Sequence, residues 1–112
     1  MKKDLNIFIE HILESITEIE KYTKNISCAK FLKTTQIQDA VIRRLEIIGE
    51  AVKNLPLSLK KQSPYIPWQK IAGLRDVLIH EYFGVDIDLV WKIIKKDLPK
   101  FKKEIIELTK LI

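Results

Sequence analysis

Apolar residues in the last quarter of the chain recur at steps of three and four, the spacing that places side chains on one face of a helix. A stripe of this length must be covered by other parts of the chain, because burying apolar surface is the main force that drives folding. Asp86 is its predicted N-cap, and Pro99 predicts a kink or a division of the helix. The stripe comprises Ile87, Val90, Trp91, Ile94, Leu98, Phe101, Ile105, Leu108 and Ile112.

The same spacing predicts four earlier helices. Asp4 and Ser27 are the predicted N-caps of the first two, Pro67 suits the first turn of the fourth, and Gly84 is predicted to end it. The four run over about residues 4–22, 27–32, 34–54 and 67–84, the third opening at Thr34 or Thr35. With only three glycines and four prolines, the chain has little material for β-hairpin turns. The sequence therefore predicts one all-α domain over residues 1–112, an up-and-down bundle of four to five helices.

Further apolar residues flank these stripes, at Ile47, Ile79, Phe83 and Ile93. A bundle of 112 residues does not comfortably bury so much apolar surface, so we expect a homodimer. Gly49, inside the long helix, costs about 1 kcal/mol relative to alanine. It therefore predicts the close approach of another helix, such as the one that bears Arg75.

The net charge of +5 comes mainly from the end of the chain. Residues 92–112 hold seven lysines against three carboxylates, which supplies +4 of the total. Such a helix attracts RNA or an acidic partner, although a solvated lysine-rich face is the simpler interpretation. Cys28 is the only cysteine, which excludes an internal disulfide. No apolar run approaches the roughly 18 residues of a membrane span and no signal-peptide pattern follows Met1, so we expect a cytoplasmic protein without membrane contact.

Arg75, His80 and Tyr82 form the pattern Arg-x4-His-x-Tyr near the predicted end of the fourth helix. A guanidinium stays charged and grips two phosphate oxygens at once, and a free imidazole titrates near pH 6.5, so it serves as base or acid. A phenol hydrogen-bonds a phosphate or orients the imidazole. These groups suit a site that acts on phosphate esters, and this chemistry needs no metal or other cofactor.

Helical geometry favours a site shared between two chains. At about 100° per residue, positions 75 and 80 differ by roughly 140° around a helix, so spacing alone does not place Arg75 and His80 on one face. A cleft between two chains would bring two arginines and two histidines together. One histidine would then act as base while its mate acts as acid.

Several segments in a fixed order carry a resemblance to a known family. They are RRLEIIGEA at 43–51, LP at 55–56, WQKIAGLR at 68–75, YFGVD at 82–86, VW at 90–91 and DLP at 97–99. Together they resemble the HEPN superfamily, specifically the HepT-type toxins encoded beside a minimal nucleotidyltransferase, MntA. The resemblance spans about residues 4–110.

This resemblance implies both a fold and an activity. It implies a helical bundle that dimerises and places the Arg-x4-His motifs of two chains around one cleft. The activity would be that of a metal-independent RNA endonuclease, the toxin of a type VII toxin–antitoxin system. Arg75 and His80 would be its catalytic residues, and Asp76 fits the polar position after the arginine. The partner nucleotidyltransferase would neutralise the toxin by transferring AMP to Tyr82.

Simpler structural interpretations stay open beside these. His80 also suits a helix C-terminus, where the helix dipole favours a cation, and Arg75 and Asp76 suit ordinary surface charges. His11 is predicted to be a surface residue. Trp68 and Trp91 are predicted to anchor the core or a dimer rather than to stack on bases.

The long helix carries a row of charges that has two interpretations. Arg43, Glu46, Glu50 and Lys53 follow one another at steps of three or four. They are predicted to form intrahelical ion pairs, each worth roughly 0.2–0.5 kcal/mol. Alternatively, Arg43 and Glu50 would lie near the cleft and orient Arg75 or His80.

Three other functions compete with a ribonuclease. One is a non-catalytic helical adaptor that only binds the nucleotidyltransferase. Another is a subunit that presents a small substrate to it. The third is a basic RNA-binding module without cleavage.

Overall fold

A computed structural model describes residues 2–74, 76 and 86–111, with side chains from residue 5 onward. Its helices are α1 (Lys2–Thr23), α2 (Cys28–Lys33), α3 (Thr35–Lys53), α4 (Leu57–Gln62), α5 (Trp68–Ala72), α6 (Ile87–Lys92) and α7 (Leu98–Thr109). A π-helical turn, Ile93–Asp97, joins α6 to α7. The predicted all-α fold is confirmed. In these ranges, no helix is both long enough and apolar enough to pass through a membrane.

Two of the predicted N-caps are confirmed. The Ser27 hydroxyl accepts a hydrogen bond from the Lys30 backbone N–H, and the Asp86 carboxylate accepts one from the Leu89 N–H, each at 3.1 Å. These acceptors satisfy amide donors that the first turn of a helix leaves unpaired. The predicted cap at Asp4 is wrong, because α1 begins before that residue, at Lys2.

A single cluster of buried apolar side chains runs from Ile9 in α1 to Leu108 in α7. Helix α1 packs chiefly on α3, and α3 also packs on α5. The predicted stripes supply this core: Ile9, Ile12, Ile16 and Ile19 from α1, Val41, Leu45, Ile48 and Val52 from α3, and Leu98, Phe101, Ile105 and Leu108 from α7. Ile93 is also buried, at 6% exposure, so its assignment to surplus apolar surface is wrong.

Both tryptophans pack inside the bundle. Trp68 is buried at the start of α5, where its Nε1–H donates to the Ser63 carbonyl at 3.0 Å and to the Lys60 carbonyl at 3.2 Å. Its ring meets Phe101 edge-on, with centroids 6.3 Å apart. Trp91 is half-buried against Phe31, at 5.1 Å between centroids. Trp68 therefore acts as a core anchor that ties the α4–α5 connection to α7.

The predicted division at Pro99 takes the form of the π-helical turn. The Leu98 N–H donates to the Ile93 carbonyl five residues back, so the helix is locally widened. Pro99 then falls within the first two positions of α7, where its missing N–H and its ring cost least. The wide turn buries two successive residues, Ile93 and Ile94, and exposes the next two, Lys95 and Lys96. The chain therefore stays helical through Pro99.

Two buried hydroxyls on α1 give a matched test of the packing. Ser15 Oγ has no hydrogen-bond partner, whereas Thr23 Oγ1 donates to the Ile19 carbonyl at 2.8 Å. We expect Ser15→Ala to raise the free energy of unfolding by about 1 kcal/mol, because an unpaired buried hydroxyl is costly. Thr23→Val should lower it by about 1 kcal/mol. Urea denaturation measures both, and an equal loss in the two variants would contradict the assignment of Ser15.

Candidate functional site

The motif residues Arg75, His80 and Tyr82 lie outside the described residues, as do Gly84, Ile79 and Phe83. The structure describes the approach to them. Helix α5 begins right after Pro67, which occupies the N-cap position rather than the first turn, and the Ile71 N–H donates to the Pro67 carbonyl at 3.1 Å. Leu74 is buried at 5% exposure, and it fixes the chain to the core one residue before Arg75.

Asp76 is the motif residue whose surroundings are described. It is exposed, and its carboxylate lies 3.6 Å from the Lys53 ammonium at the end of α3. The side chains are 57% and 40% exposed, so water and salt screen the pair and it contributes little to stability. The contact nevertheless shows that the residue after Arg75 lies next to the end of the long helix. The prediction of Asp76 as a surface charge fits this exposure.

A groove between α1 and α3 borders this region. It has a volume of about 280 Å³, and Phe8, His11, Arg43, Glu46, Ile47, Glu50, Ala51 and Asn54 line it. A second hollow shares His11 and Ile47 and adds Glu14, Ser15 and Arg44. This α1–α3 groove thus has an apolar floor and both signs of charge along its rim.

Within the described residues, the charged row on α3 pairs both along the helix and with another segment of the chain. Arg43 pairs with Glu46 at 3.8 Å, as the simpler interpretation predicts. Lys53 instead turns to Asp76 on another segment of the chain. Arg43 and Glu50 both line the α1–α3 groove. Their predicted role in orienting Arg75 or His80 stays a prediction, since those two residues are outside the described part.

His11 is exposed, as predicted, but it also lies near charged side chains of a second helix. It borders both hollows of the α1–α3 groove and faces the α3 side chains Arg43 and Arg44 across it. Spacing within one helix gives no signal for this neighbourhood, because it depends on how α1 is rotated against α3. Gly49 is buried in α3, in keeping with close packing of that face.

In the ranges that the structure covers, no group of three or more His, Cys, Asp or Glu side chains is arranged to hold a metal ion. Cys28, at the start of α2, is half-buried and unpaired with any other cysteine. The charged and titratable groups that line the α1–α3 groove are Arg43, Arg44, three glutamates and the His11 imidazole. Guanidinium groups bind phosphate by charge and hydrogen bonds, whereas carboxylates repel it.

Comparison with known proteins identifies the family. The family described as "Ribonuclease HepT-like" matches residues 12–108. This chain belongs to the HepT-like ribonuclease family. The match includes the whole Arg-x4-His-x-Tyr segment and both walls of the α1–α3 groove from Ile12 onward.

Individual relatives agree with this assignment. "Probable ribonuclease HepT" of Thermococcus cleftensis is 46% identical over 98% of this chain and 100% of its own length. "Putative RNase MJ1380" of Methanocaldococcus jannaschii is 45% identical over 93% of this chain and 95% of its own. "Gamma-glutamylcyclotransferase and putative RNase MJ0434" of the same organism is 52% identical over 96% of this chain, which spans 49% of that relative's length. No solved structure matches this chain.

Proposed function

We propose that this protein is a ribonuclease toxin of a type VII toxin–antitoxin system, with Arg75 and His80 as catalytic residues. The observation that carries the proposal is the family match over residues 12–108 together with an intact Arg-x4-His-x-Tyr segment inside it. The described flanks are compatible with it, because Leu74 is packed into the core directly before Arg75, and the exposed Asp76 directly after it lies beside Lys53.

The proposed reaction is a transfer of the phosphate within the RNA strand. The ribose 2′-OH attacks the adjacent phosphorus, a new 2′-oxygen–phosphorus bond forms, and the bond to the 5′ oxygen breaks. One His80 imidazole takes the 2′ proton, and a His80 imidazolium returns a proton to the leaving 5′ oxygen. Arg75 stabilises the charge on the non-bridging oxygens, which grows in the transition state. The products are a 2′,3′-cyclic phosphate and a 5′-hydroxyl, and no metal takes part.

The two histidines of this scheme come from two copies of the chain. A homodimer would therefore build a single cleft with two Arg75 and two His80 side chains. The α1–α3 groove supports self-association, because the partly buried Phe8 and Ile47 line it. Both signs of charge in its lining suit a two-fold contact, in which the same patch meets itself.

Tyr82 is the proposed acceptor for the antitoxin, a minimal nucleotidyltransferase of the MntA type. Its phenol oxygen would attack the α-phosphate of ATP, forming an oxygen–phosphorus bond while pyrophosphate leaves and the phenol proton is released. The attached AMP adds negative charge and bulk two residues from His80. An RNA phosphate would then be repelled and occluded, which silences the nuclease.

Replacing His80 separates a catalytic role from a structural one. We expect His80→Ala to slow single-turnover cleavage of a labelled RNA by about 10²- to 10⁴-fold in the presence of EDTA, because acid–base catalysis is lost. The matched control is Lys24→Ala, which changes an exposed side chain outside the lining of the α1–α3 groove and should leave the rate unchanged. Expression of the wild type and of the control variant should arrest growth, and expression of His80→Ala should not. Equal cleavage by wild type and His80→Ala would end the proposal.

A heterodimer tests whether both histidines serve one cleft. We expect a dimer of one wild-type and one His80→Ala chain, isolated with two different affinity tags, to cleave far more slowly than half the wild-type rate. One independent site in each chain would retain about half, by the symmetry of a homodimer. A heterodimer of wild-type and Lys24→Ala chains controls for tagging, because Lys24 is exposed and outside the lining of the α1–α3 groove. Failure to obtain any heterodimer would count against the dimer itself.

Mass spectrometry of tryptic peptides tests the silencing step. We expect incubation with the cognate nucleotidyltransferase and ATP to add AMP to the Tyr82 peptide and to suppress cleavage, because the modification places charge at the phosphate site. Tyr82→Phe should resist both effects. Tyr65, which is 65% exposed, is an internal control for unselective modification. Cleavage that falls while the Tyr82 peptide stays unmodified would point to another mode of neutralisation.

A further inference from the structure

The lysine-rich end of the chain forms a surface that the catalytic scheme leaves unused. Lys96, Lys100 and Lys103 follow one another at steps of four and three, and all three are exposed. We call them the lysine ridge. Of the other lysines nearby, Lys102 pairs with Glu20 at 3.0 Å, Lys110 pairs with Glu107 at 3.2 Å, and Lys95 lies over the Trp91 ring at 4.8 Å. The ridge lysines make no such contact within the described chain.

A shallow hollow of about 260 Å³ separates the ridge from an exposed aromatic ring. Lys100 forms its near edge, and Tyr65 and Lys70 form its far edge. Tyr65 is 65% exposed, in contrast to Trp68 three residues later, which is buried. Most of Tyr65 is therefore open to solvent, where a planar partner can reach its ring.

The charges of this surface favour an anion. Four lysines surround the hollow or flank it, against the carboxylates of Asp97 and Glu104 in its lining. Lys70 contacts Asp97 at 3.5 Å, but these side chains are 62% and 34% exposed, so the pair is weak and a phosphate can compete for the lysine. Within α7, the helical rise of about 1.5 Å per residue puts Lys100 and Lys103 about 4.5 Å apart along the axis. The long, flexible lysine side chains extend beyond this, so the row can contact successive phosphates of a nucleic-acid strand.

The surface also lies close to the motif along the chain. Lys70 precedes Arg75 by five residues, which limits the distance between their Cα atoms to about 18 Å even for an extended chain. A strand held at Lys70 is therefore only a few nucleotides from Arg75. Binding of RNA at this surface would add to the affinity of a catalytic cleft that contacts a single phosphodiester linkage.

We propose that Tyr65, Lys70 and the lysine ridge form a binding surface for the single-stranded flank of the RNA substrate, with one base stacked on Tyr65 and successive phosphates on the lysines. The inference rests on the proposed ribonuclease function. An exposed ring beside a row of unpaired lysines is the arrangement by which proteins hold single strands without sequence preference. A purely acidic protein partner would use the lysines but would have no need of the free ring face.

The test measures binding of a fluorescent, fully 2′-O-methylated RNA oligonucleotide, which cannot be cleaved because its 2′ oxygens carry no proton. We expect Lys96→Gln, Lys100→Gln and Lys103→Gln combined to weaken binding about tenfold, and to lower the slope of log affinity against log salt by about 2, at roughly 0.7 per lost contact. Tyr65→Ala should weaken binding several-fold, and Tyr65→Phe should bind as wild type does. With a cleavable RNA, the ridge variant should raise KM and leave kcat unchanged.

A matched control removes the same charge elsewhere. Lys24, Lys30 and Lys33 are exposed lysines around α2, and their combined replacement by glutamine should leave binding nearly unchanged. Equal weakening in both triple variants would mean that only net charge matters, and would overturn the inference. So would unchanged RNA binding by the ridge variant, including the case in which it loses an acidic protein partner instead. Undetectable binding by the wild type at low salt would overturn it as well.

These results are distinguishable from a failure of the proposed function. If His80→Ala cleaves like wild type while the ridge and Tyr65 variants lose RNA, the nuclease proposal fails and the binding surface stands. If cleavage requires His80 but the ridge and Tyr65 variants bind and cleave normally, the nuclease stands and the surface fails.

Discussion

The packing of α3 against both α1 and α5 is the constraint on which the rest of the molecule depends. One face of α3 supplies Val41, Leu45, Ile48 and Val52 to the core, and each is fully buried. This burial holds α5, and with it Leu74, at a fixed place beside α3. The end of α3 then presents Lys53 to Asp76. A single helix thus supplies much of the hydrophobic core and also contacts α5 and Asp76, which precede and follow Arg75 in the chain.

Much of this fold follows from the sequence, because apolar spacing and capping side chains act locally. The stripes of α1, α3 and α7 and the caps at Ser27 and Asp86 needed no knowledge of tertiary contacts. Local patterns did not predict the start of α1 before Asp4 or the π-helical turn at Ile93. Each depends on energies that neighbouring elements contribute, and a local pattern sets only the approximate bounds of a helix.

For the candidate site too, the sequence predicts some features and not others. The order of motifs in the sequence was sufficient to recognise the family, and it named Arg75, Asp76, His80 and Tyr82 as a set. The pairing of Asp76 with Lys53 and the place of His11 in the α1–α3 groove were not predictable. Both join residues more than twenty positions apart, and their contact depends on how one helix is rotated about its axis against another. Spacing within a single helix carries no information on that rotation.

The widened turn at Ile93–Asp97 connects the core to the basic surface. It turns Ile93 and Ile94 inward together, and Lys95 and Lys96 therefore emerge together toward solvent. Pro99 keeps this turn in place, because a regular α-helix through that position would lose a hydrogen bond and meet a steric clash. The π-helical turn that buries Ile93 and Ile94 thus also sets where the row of lysines begins. The two proposals thus place cleavage chemistry and strand affinity on separate segments of one small bundle.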